Sequence, residues 1–473
     1  MGGRAVARGR VLLALALAGF LGCGGDDSDG GGDAGDDAGD AGGDAGGDGG
    51  GGDGGGACSG LECQQVECAA GATTSISGTV TIPSGELPLY NAVVYVPNGP
   101  VAPFDDGVGC YRCDAPLSGD PVVDTRTDTA GQFVLEDVPV GDDIPLVIQV
   151  GKWRRQITIP SVSECVDTPL DADDTRLPRN QSEGDIPLIA LTTGGLDALE
   201  CLLPKVGLDA SEFTPEGEGG RVNLYAAVNG TAGYDMTMNG GADFSDATAL
   251  WGSLESLSRY DIVLLSCEGV EDFPDPGMVT NKSPEALEAM RDYADLGGRI
   301  FASHWHHYWI EFGPDAFPGA AVFNHLPDLG TITSDIDTSY EKGLAMAEWL
   351  MRAGASTVFG KLDIVDAQHT VEAVDQSTRW IYKDDTTNQD GNGDPIPSVQ
   401  YLSFNAPLEA AEEEQCGRVV LSDIHVSSAS GDDSAPDKRF PGGGCTSVDL
   451  SPQEKALIFM LFDISSCVEP DVD

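Results

Sequence analysis

The stretch SPEALEAMRDYADLGGRIFASHW, residues 283–305, decides the predicted fold. Ser283 is a typical N-cap residue, Pro284 suits the first helical turn, and Gly297 ends a helix, so the sequence predicts a helix between them. RIFASHW follows directly and is predicted to be a buried strand. A helix that leads straight into an apolar strand indicates an α/β fold with a parallel sheet.

The same alternation continues over residues 185–467. A capping box, Ser451 to Glu454, opens the last predicted helix, SPQEKALIFMLFDI (451–464). Further apolar strands are predicted in IPLIALTTGG (186–195), GRVNLYAAV (220–228), YDIVLLSCEG (260–269) and GRVVLSDIHV (417–426). Strands that alternate with helices favour right-handed crossovers and a mainly parallel sheet.

This order of motifs resembles the class I glutamine amidotransferase-like fold, and within it the ThuA-like branch. The matching motifs are Tyr260-Asp-Ile-Val-Leu-Leu, the helix that ends in Gly297-Gly298, the strand that runs into His304, and Gly417-Arg-Val leading to His425. The resemblance implies a flavodoxin-like α/β domain over residues 185–467. The segment 311–416 matches this pattern poorly.

Residues 75–162 contain short β-branched runs separated by Gly, Pro and Asp, which predict an antiparallel β-sandwich. Asp128-x-x-Gly131-x-Phe133 and Val138-Pro-x-Gly resemble the carboxypeptidase regulatory-like domain, a transthyretin-like module with a carbohydrate-binding-like fold and an accessory role. An insertion around Cys110–Cys113 departs from that family. The basic run Lys152–Arg155 is either an edge strand or a grip for an acidic or sugar ligand.

The N-terminus indicates export. Residues 1–22 have the basic start and the apolar run of a signal peptide. Gly22-Cys23 resembles a lipobox, which implies lipidation of Cys23 and attachment to the outer membrane or cell surface; an ordinary signal peptide is the alternative. Residues 23–57 are a Gly/Asp-rich tether that is predicted to be disordered. Residues 58–74 are a cysteine-containing lead-in, 163–184 a linker and 468–473 a tail.

Charge and cysteine content restrict the function. The net charge is −53, and without the ten tether aspartates it is still −43, which excludes nucleic acid as a partner. The chain has twelve cysteines, which in an exported protein predict disulfides. If Cys23 carries lipid, eleven remain and at least one is free or pairs with another chain. A zinc site at Cys110-x-x-Cys113 is the alternative for that pair.

FASHWHHYW, residues 301–309, is the candidate site, because ligands in open α/β sheets bind beyond the carboxyl ends of the strands. Glutamine hydrolysis is rejected, since the elbow offers Ser303 or His304 where the family has a nucleophilic cysteine, and His425-Val-Ser replaces His-x-Glu. The predicted catalytic groups are His304, His425 and Glu268. The predicted ligand-binding residues are Gly194, Gly195, Cys267, Ser303 and Trp305.

A metal is the sharper hypothesis for this stretch. Zinc or a similar divalent ion would take nitrogen and oxygen ligands from His304, His306, His307, Asp423 and His425, although the three neighbouring histidines cannot all point the same way. The alternative is a rim of aromatic and polar side chains that hydrogen bond to the backbone. Elsewhere, the residues from Asn388 to Val399 partly resemble a calcium loop, for which a hairpin tip is the alternative.

Three functions are therefore predicted. The first is an envelope lipoprotein that binds a small polar or carbohydrate-like ligand, with the β-sandwich as a spacer. The second is a metal-assisted hydrolase or isomerase acting on carbohydrate-like substrates. The third is a non-catalytic structural envelope protein. The oligomeric state and the ligand itself stay open.

Overall fold

The computed structural model describes residues 58–69, 71–269, 281–426, 439–442, 445 and 449–469. The predicted signal peptide, Cys23 and the tether lie outside these residues, as does most of the tail. Residues 57–473 form one compact unit.

The β-rich part contains two sheets with different strand directions. One sheet has the order β4-β1-β7, with β1·β4 antiparallel and β1·β7 parallel. The other has the order β3-β2-β5-β6 and is antiparallel throughout. The strands are β1 Ser75–Thr79, β2 Val93–Pro97, β3 Pro121–Arg126, β4 Gln132–Glu136, β5 Gly141–Val150, β6 Trp153–Val162 and β7 Asp167–Pro169, followed by helix α1 Ala172–Thr175. The predicted linker, residues 163–184, thus supplies one strand to the first sheet.

The turn before β4 forms as its sequence predicts. Asp128 Oδ1 accepts hydrogen bonds from the backbone N–H groups of Ala130 and Gln132 at 2.8 and 2.9 Å. Gly131 has a φ of 70°, and a Cβ there would lie 2.4 Å from the carbonyl oxygen of Val80. Only glycine fits this close approach in the left-handed region. The turn directs Phe133 into the core, where it is buried.

The rest of the unit is built on one sheet of ten strands. Six of them are joined by parallel pairs in the order β10-β9-β8-β11-β12-β19. They are β8 Ile189–Thr192, β9 Val222–Ala226, β10 Ser245–Asp246, β11 Ile262–Leu265, β12 Arg299–Ser303 and β19 Gly417–Ser422. Four antiparallel strands extend the sheet from β19 in the order β18-β17-β14-β15. They are β14 Gly330–Ile336, β15 Lys361–Ala367, β17 Thr378–Lys383 and β18 Ser398–Ala406.

The prediction of a mainly parallel sheet is therefore too simple, because the large sheet is mixed. The segment 311–416, which resembles the family poorly, supplies all the antiparallel strands. Consecutive strands β17, β18 and β19 return directly on one another instead of crossing over through a helix. The same segment adds a two-stranded ladder of β13 Ala321–Phe323 and β16 Val371–Val374.

The two helices with capping signals in the sequence form as predicted. Ser283 accepts a hydrogen bond from the N–H of Ala286, Pro284 occupies the first turn, and Gly297 has a φ of 112° just after the last turn. Ser451 and Glu454 form the complete capping box. The helices are α2 Leu199–Val206, α3 Ala247–Trp251, α4 Leu254–Leu257, α5 Pro284–Asp295, α6 Tyr308–Glu311, α7 Glu341–Arg352 and α8 Pro452–Ser465. The large sheet and these helices share two clusters of buried apolar side chains.

Disulfides connect distant parts of the unit, in agreement with the disulfides predicted from the cysteine content of an exported chain. Cys110 and Cys113, in the insertion, pair with Cys416 and Cys467 at the far end of the chain, so the zinc alternative for this pair is wrong. The remaining bonds are Cys58–Cys63, Cys68–Cys165 and Cys201–Cys445. Among the described residues, Cys267 is the free cysteine.

The basic run after β5 is part of an edge strand, because β6 ends the four-stranded sheet. Lys152 forms a 2.5 Å ion pair with Asp261, and Arg154 pairs with Asp185 at 2.8 Å. Trp153 is fully buried. These charges hold the β-rich part against the large sheet, so the edge-strand interpretation fits them better than an exposed ligand grip.

Residues 384–397 connect the antiparallel strands β17 and β18. Asp390 stabilises the turn at the tip of this connection. Asp390 Oδ1 accepts hydrogen bonds from the N–H groups of Asn392 and Asp394 at 2.8 and 2.9 Å. The carboxylate thus serves the turn itself, as in the predicted hairpin tip.

Candidate functional site

The candidate site begins at the carboxyl end of β12. The strand ends at Ser303, and a 3₁₀ helix, His304–His307, follows at once. His304 has a φ of 35°, in the left-handed region that residues other than glycine seldom adopt. It therefore occupies a sharp strand-to-helix elbow, and such strained positions often occur at functional sites.

The elbow brings together three side chains from three neighbouring strands. Cys267 follows β11 and His425 follows β19, and these two strands flank β12 in parallel. His304 Nδ1 lies 3.2 Å from His425 Nε2 and 3.6 Å from Cys267 Sγ. All three side chains are buried, and one donor atom from each lies within 4.8 Å of the others. We call these three residues the elbow cluster.

Burial determines the protonation of the elbow cluster. Burial, followed by the neighbouring His425, lowers the pKa of His304 well below its usual value, so its ring is neutral. Burial also raises the pKa of the Cys267 thiol, while the backbone N–H groups of Trp305 and Gly269 act in the opposite direction. Those two N–H groups would stabilise a thiolate, the form in which cysteine binds metals.

The other two histidines of the stretch diverge from the elbow cluster. His306 Nε2 donates to the carbonyl oxygen of Ser266 at 2.9 Å, and His306 Nδ1 accepts from Trp309 Nε1 at 2.9 Å. Both of its ring nitrogens are thus engaged, so His306 has a structural position rather than that of a ligand. His307 belongs to a second group with Glu311 and His325.

Asp423, predicted as a metal ligand, is not one of the three residues of the elbow cluster. Its Oδ2 accepts a 2.7 Å hydrogen bond from the N–H of Thr370. Burial raises its pKa to about 6. The strand β19 ends at Ser422, so Asp423 and His425 do not lie on one strand face as the i, i+2 spacing suggested.

Ser303 binds a carboxylate that the sequence did not single out. Its hydroxyl donates to Asp197 Oδ2, and Asp197 Oδ1 accepts a 2.8 Å hydrogen bond from the N–H of Val426. Asp197 therefore ties the loop after β8 to the residues that follow His425. Asp197 thus positions these two segments. Its place just after Gly194 and Gly195 was the feature of the sequence that could have identified it.

Glu268, predicted as a base, is paired with a lysine instead. Its Oε2 lies 2.5 Å from Lys282 Nζ, and each side chain is 1% exposed. Three aromatic rings surround the ammonium group, with centroids 5.5 to 6.0 Å away, from Trp251, Trp309 and Tyr308. The carboxylate thus neutralises a buried cation, which is a structural role.

The two predicted pocket glycines are required for backbone packing. A Cβ on Gly194 would lie 2.2 Å from the carbonyl oxygen of Cys267, and one on Gly195 would lie 2.9 Å from that of Glu268. They allow the loop after β8 to approach the loop after β11. Trp305 is the predicted ligand-binding residue with a suitable position, because it is half-buried and stacks on His304 with centroids 4.3 Å apart.

Comparisons with known proteins give only distant similarities. No known family pattern matches the chain, and no curated protein matches it. The structure is similar to a protein of Bacteroides uniformis described as ThuA-like, with 10% identity, 58% of this chain and 89% of that chain covered, and a TM-score of 0.28. It is also similar to the protein called SMU.1228c, with 11% identity, 59% of this chain and 99% of that chain covered, and a TM-score of 0.30. A cohesin–X-dockerin complex of Acetivibrio cellulolyticus covers 32% of this chain at a TM-score of 0.17. At these scores the overlap is too loose to transfer a chemistry to this chain.

The disulfides bear on the compartment. Five of them form between described cysteines, which favours an oxidising location outside the cytoplasm. Among the described residues, no helix has the length and apolarity that a bilayer crossing requires.

Proposed function

We propose that this chain is an exported, lipid-anchored protein that holds a transition metal ion in the elbow cluster and binds a small polar, carbohydrate-like ligand at that ion. In this proposal Cys23 carries the anchor and residues 23–57 are the tether. Residues 75–162 are a carboxypeptidase regulatory-like β-sandwich that acts as a spacer, and residues 185–467 are the ThuA-like domain.

The convergence of Cys267, His304 and His425 supports the metal. Ligands of a tetrahedral zinc ion, with bonds of about 2.0–2.1 Å to nitrogen and about 2.3 Å to sulfur, are separated by about 3.3 Å for two nitrogens and about 3.6 Å for nitrogen and sulfur. The corresponding separations here are 3.2 and 3.6 Å. These two separations suit one tetrahedral ion, and the three donor atoms all lie within 4.8 Å of one another.

The location of the cluster supports a ligand at the ion. It lies at the carboxyl edge of parallel strands, where α/β sheets bind ligands. Trp305 covers His304 and remains half-buried, which suits stacking on the apolar face of a sugar ring. The chain's acidity favours a neutral or cationic ligand over an anionic one.

Turnover is the second candidate function. Three protein ligands leave the fourth position of a tetrahedral ion open, which distinguishes catalytic zinc sites from closed structural ones. A water bound there would be activated for hydrolysis. The residues of the elbow cluster would hold the ion, and Trp305 stacks beside them on His304.

Metal content tests the proposal. The full chain carrying Cys23→Ser would be exported, purified without chelators and analysed by elemental mass spectrometry beside His304→Ala. His369→Ala is the matched control, because His369 hydrogen bonds to Pro397 O and Asn388 and is not part of the elbow cluster. We expect zinc that His304→Ala loses and His369→Ala keeps. Equal metal in all three proteins, or none in any, would overturn the proposal and favour the structural role.

Ligand binding needs a separate measurement. Calorimetric titration with a panel of neutral mono- and disaccharides should give heat with the metal-loaded protein and none with His304→Ala. Hydrolysis of chromogenic glycosides by the loaded protein would support the second candidate function.

A further inference from the structure

A second group of potential ligands lies beside the elbow cluster. His307 and Glu311 are four residues apart, at the start and end of the turn that contains α6, and His325 follows β13. Glu311 Oε2 lies 3.0 Å from His307 Nδ1 and 2.8 Å from His325 Nε2. The two imidazole rings have centroids 4.7 Å apart. We call these three residues the outer cluster.

Hydrogen bonding does not account for His307. Its side chain is fully buried. Nδ1 lies 3.0 Å from Glu311 Oε2 without hydrogen-bond alignment, and Nε2 has no hydrogen-bond partner among the described residues. A buried imidazole whose nitrogens lack aligned partners is unfavourable. An ion between Nδ1 and the Glu311 carboxylate would give Nδ1 a bonding partner.

Glu311 and His325 give the outer cluster access to solvent. The side chains of Glu311 and His325 are 20% and 29% exposed. An ion held between them would therefore keep access to solvent.

From this geometry we infer that His307, Glu311 and His325 bind a second divalent cation, distinct from the one in the elbow cluster. Two imidazoles and a carboxylate form a facial triad of ligands. Neighbouring ligands of a six-coordinate ion with bonds of about 2.1 Å are about 3.0 Å apart. The 2.8 and 3.0 Å separations of Glu311 Oε2 from the two histidines are compatible with that spacing, and all three donor atoms lie within 4.8 Å of one another.

The two clusters therefore differ in the ions that they favour. The elbow cluster offers sulfur and tetrahedral spacing, which suit zinc. The outer cluster offers nitrogen and oxygen with octahedral spacing, which suit manganese or iron(II) with three water molecules in the remaining positions. Trp305 lies between the clusters, with its ring centroid 4.3 Å from that of His304 and 5.8 Å from that of His307. A ligand over Trp305 would lie close to both ions.

Manganese binding tests this inference. Mn²⁺ would be titrated into the full chain carrying Cys23→Ser, at about 0.15 M salt to screen weak binding by the acidic surface, and free Mn²⁺ would be counted by electron paramagnetic resonance. The variants are His325→Ala and Glu311→Gln, with His369→Ala as the matched control. Cys267→Ser removes a ligand from the elbow cluster only.

We expect about one tight Mn²⁺ per chain in the Cys23→Ser parent, in His369→Ala and in Cys267→Ser. His325→Ala and Glu311→Gln should weaken that binding by at least about tenfold, with their circular dichroism unchanged. Binding that does not differ between the parent and both outer-cluster variants would overturn the inference, as would a parent that binds no Mn²⁺. Because Cys267→Ser disables only the elbow cluster, failure of the proposed function gives a different pattern.

Discussion

The buried ion pair of Glu268 and Lys282 is the reason for giving Glu268 a structural role instead of the predicted catalytic one. Breaking this pair tests that assignment. Lys282→Met keeps an apolar side chain of nearly the same length against the surrounding aromatic rings but deletes the charge. Glu268 is then left without its cationic partner and 1% exposed, with a 3.3 Å hydrogen bond from the N–H of Val228. Breaking a buried ion pair in this way costs about 3–5 kcal/mol.

The expected shift in melting temperature follows from the size of the unit. With about 2.1 cal/mol/K of unfolding entropy per residue, the compact unit of residues 57–473 has about 0.9 kcal/mol/K. A loss of 3–5 kcal/mol therefore lowers the melting temperature by about 3–6 °C. Differential scanning calorimetry at pH 7 measures this shift.

Two further variants make the result specific. Glu268→Leu combined with Lys282→Met removes both charges and should recover most of the loss, because no isolated charge remains. Lys383→Met is the control, since Lys383 pairs with Asp385, which is 80% exposed, and exposed pairs contribute at most about 1 kcal/mol. A single variant that melts with the parent, or a double variant that melts below the single one, would refute the structural role of Glu268.

Three more predictions concern stability. Burial raises the pKa of Glu200 to about 7, above its value in the unfolded chain, so stability falls as the pH rises from about 4.5 to 7. The loss amounts to about 3 kcal/mol. Glu200→Gln should therefore make the melting temperature depend less on pH, and an unchanged dependence would contradict this. Gly194→Ala should lower the melting temperature by several degrees, because its Cβ would lie 2.2 Å from the carbonyl oxygen of Cys267. Gly391→Ala is the control, since its Cβ would meet nothing within 4 Å and the melting temperature should not fall. Loss of the Cys113–Cys467 bond, which closes a loop of about 55 residues while Cys110–Cys416 is intact, should cost about 4 kcal/mol. Loss of Cys58–Cys63, whose ends are 5 positions apart, should cost about 2 kcal/mol. Equal melting temperatures of the two double-alanine variants would be contrary to this loop-length effect.

Local signals in the sequence predicted the parallel half of the large sheet. The capping residues around α5, the capping box of α8 and the apolar runs of β8, β11, β12 and β19 each act within a short window, so periodicity and caps were enough. The antiparallel half depends on pairing between segments far apart in the sequence. No local pattern specifies which strand β17 or β14 will join.

The same distinction applies to the site. Its position at the end of β12 and the roles considered for His304 and His425 followed from the strand order. Cys267, which lies beside these two histidines, was predicted to line a pocket rather than to bind a metal. The sequence does not show which side chains a cysteine or a histidine contacts in the fold. His307 and Glu311 are four residues apart and could have been paired at helical spacing. His325 could not, because the chain brings it back only after β13.

The coordination of zinc in the elbow cluster tests the central claim most directly. The His325→Ala variant in the Cys23→Ser chain, which should retain only the elbow site, would be loaded with one equivalent of zinc and measured by X-ray absorption at the zinc edge. The account predicts one sulfur at about 2.3 Å and two nitrogens at about 2.0–2.1 Å, with the sulfur lost in Cys267→Ser. A zinc ion surrounded only by nitrogen and oxygen would contradict it, because Cys267 would then not be a ligand.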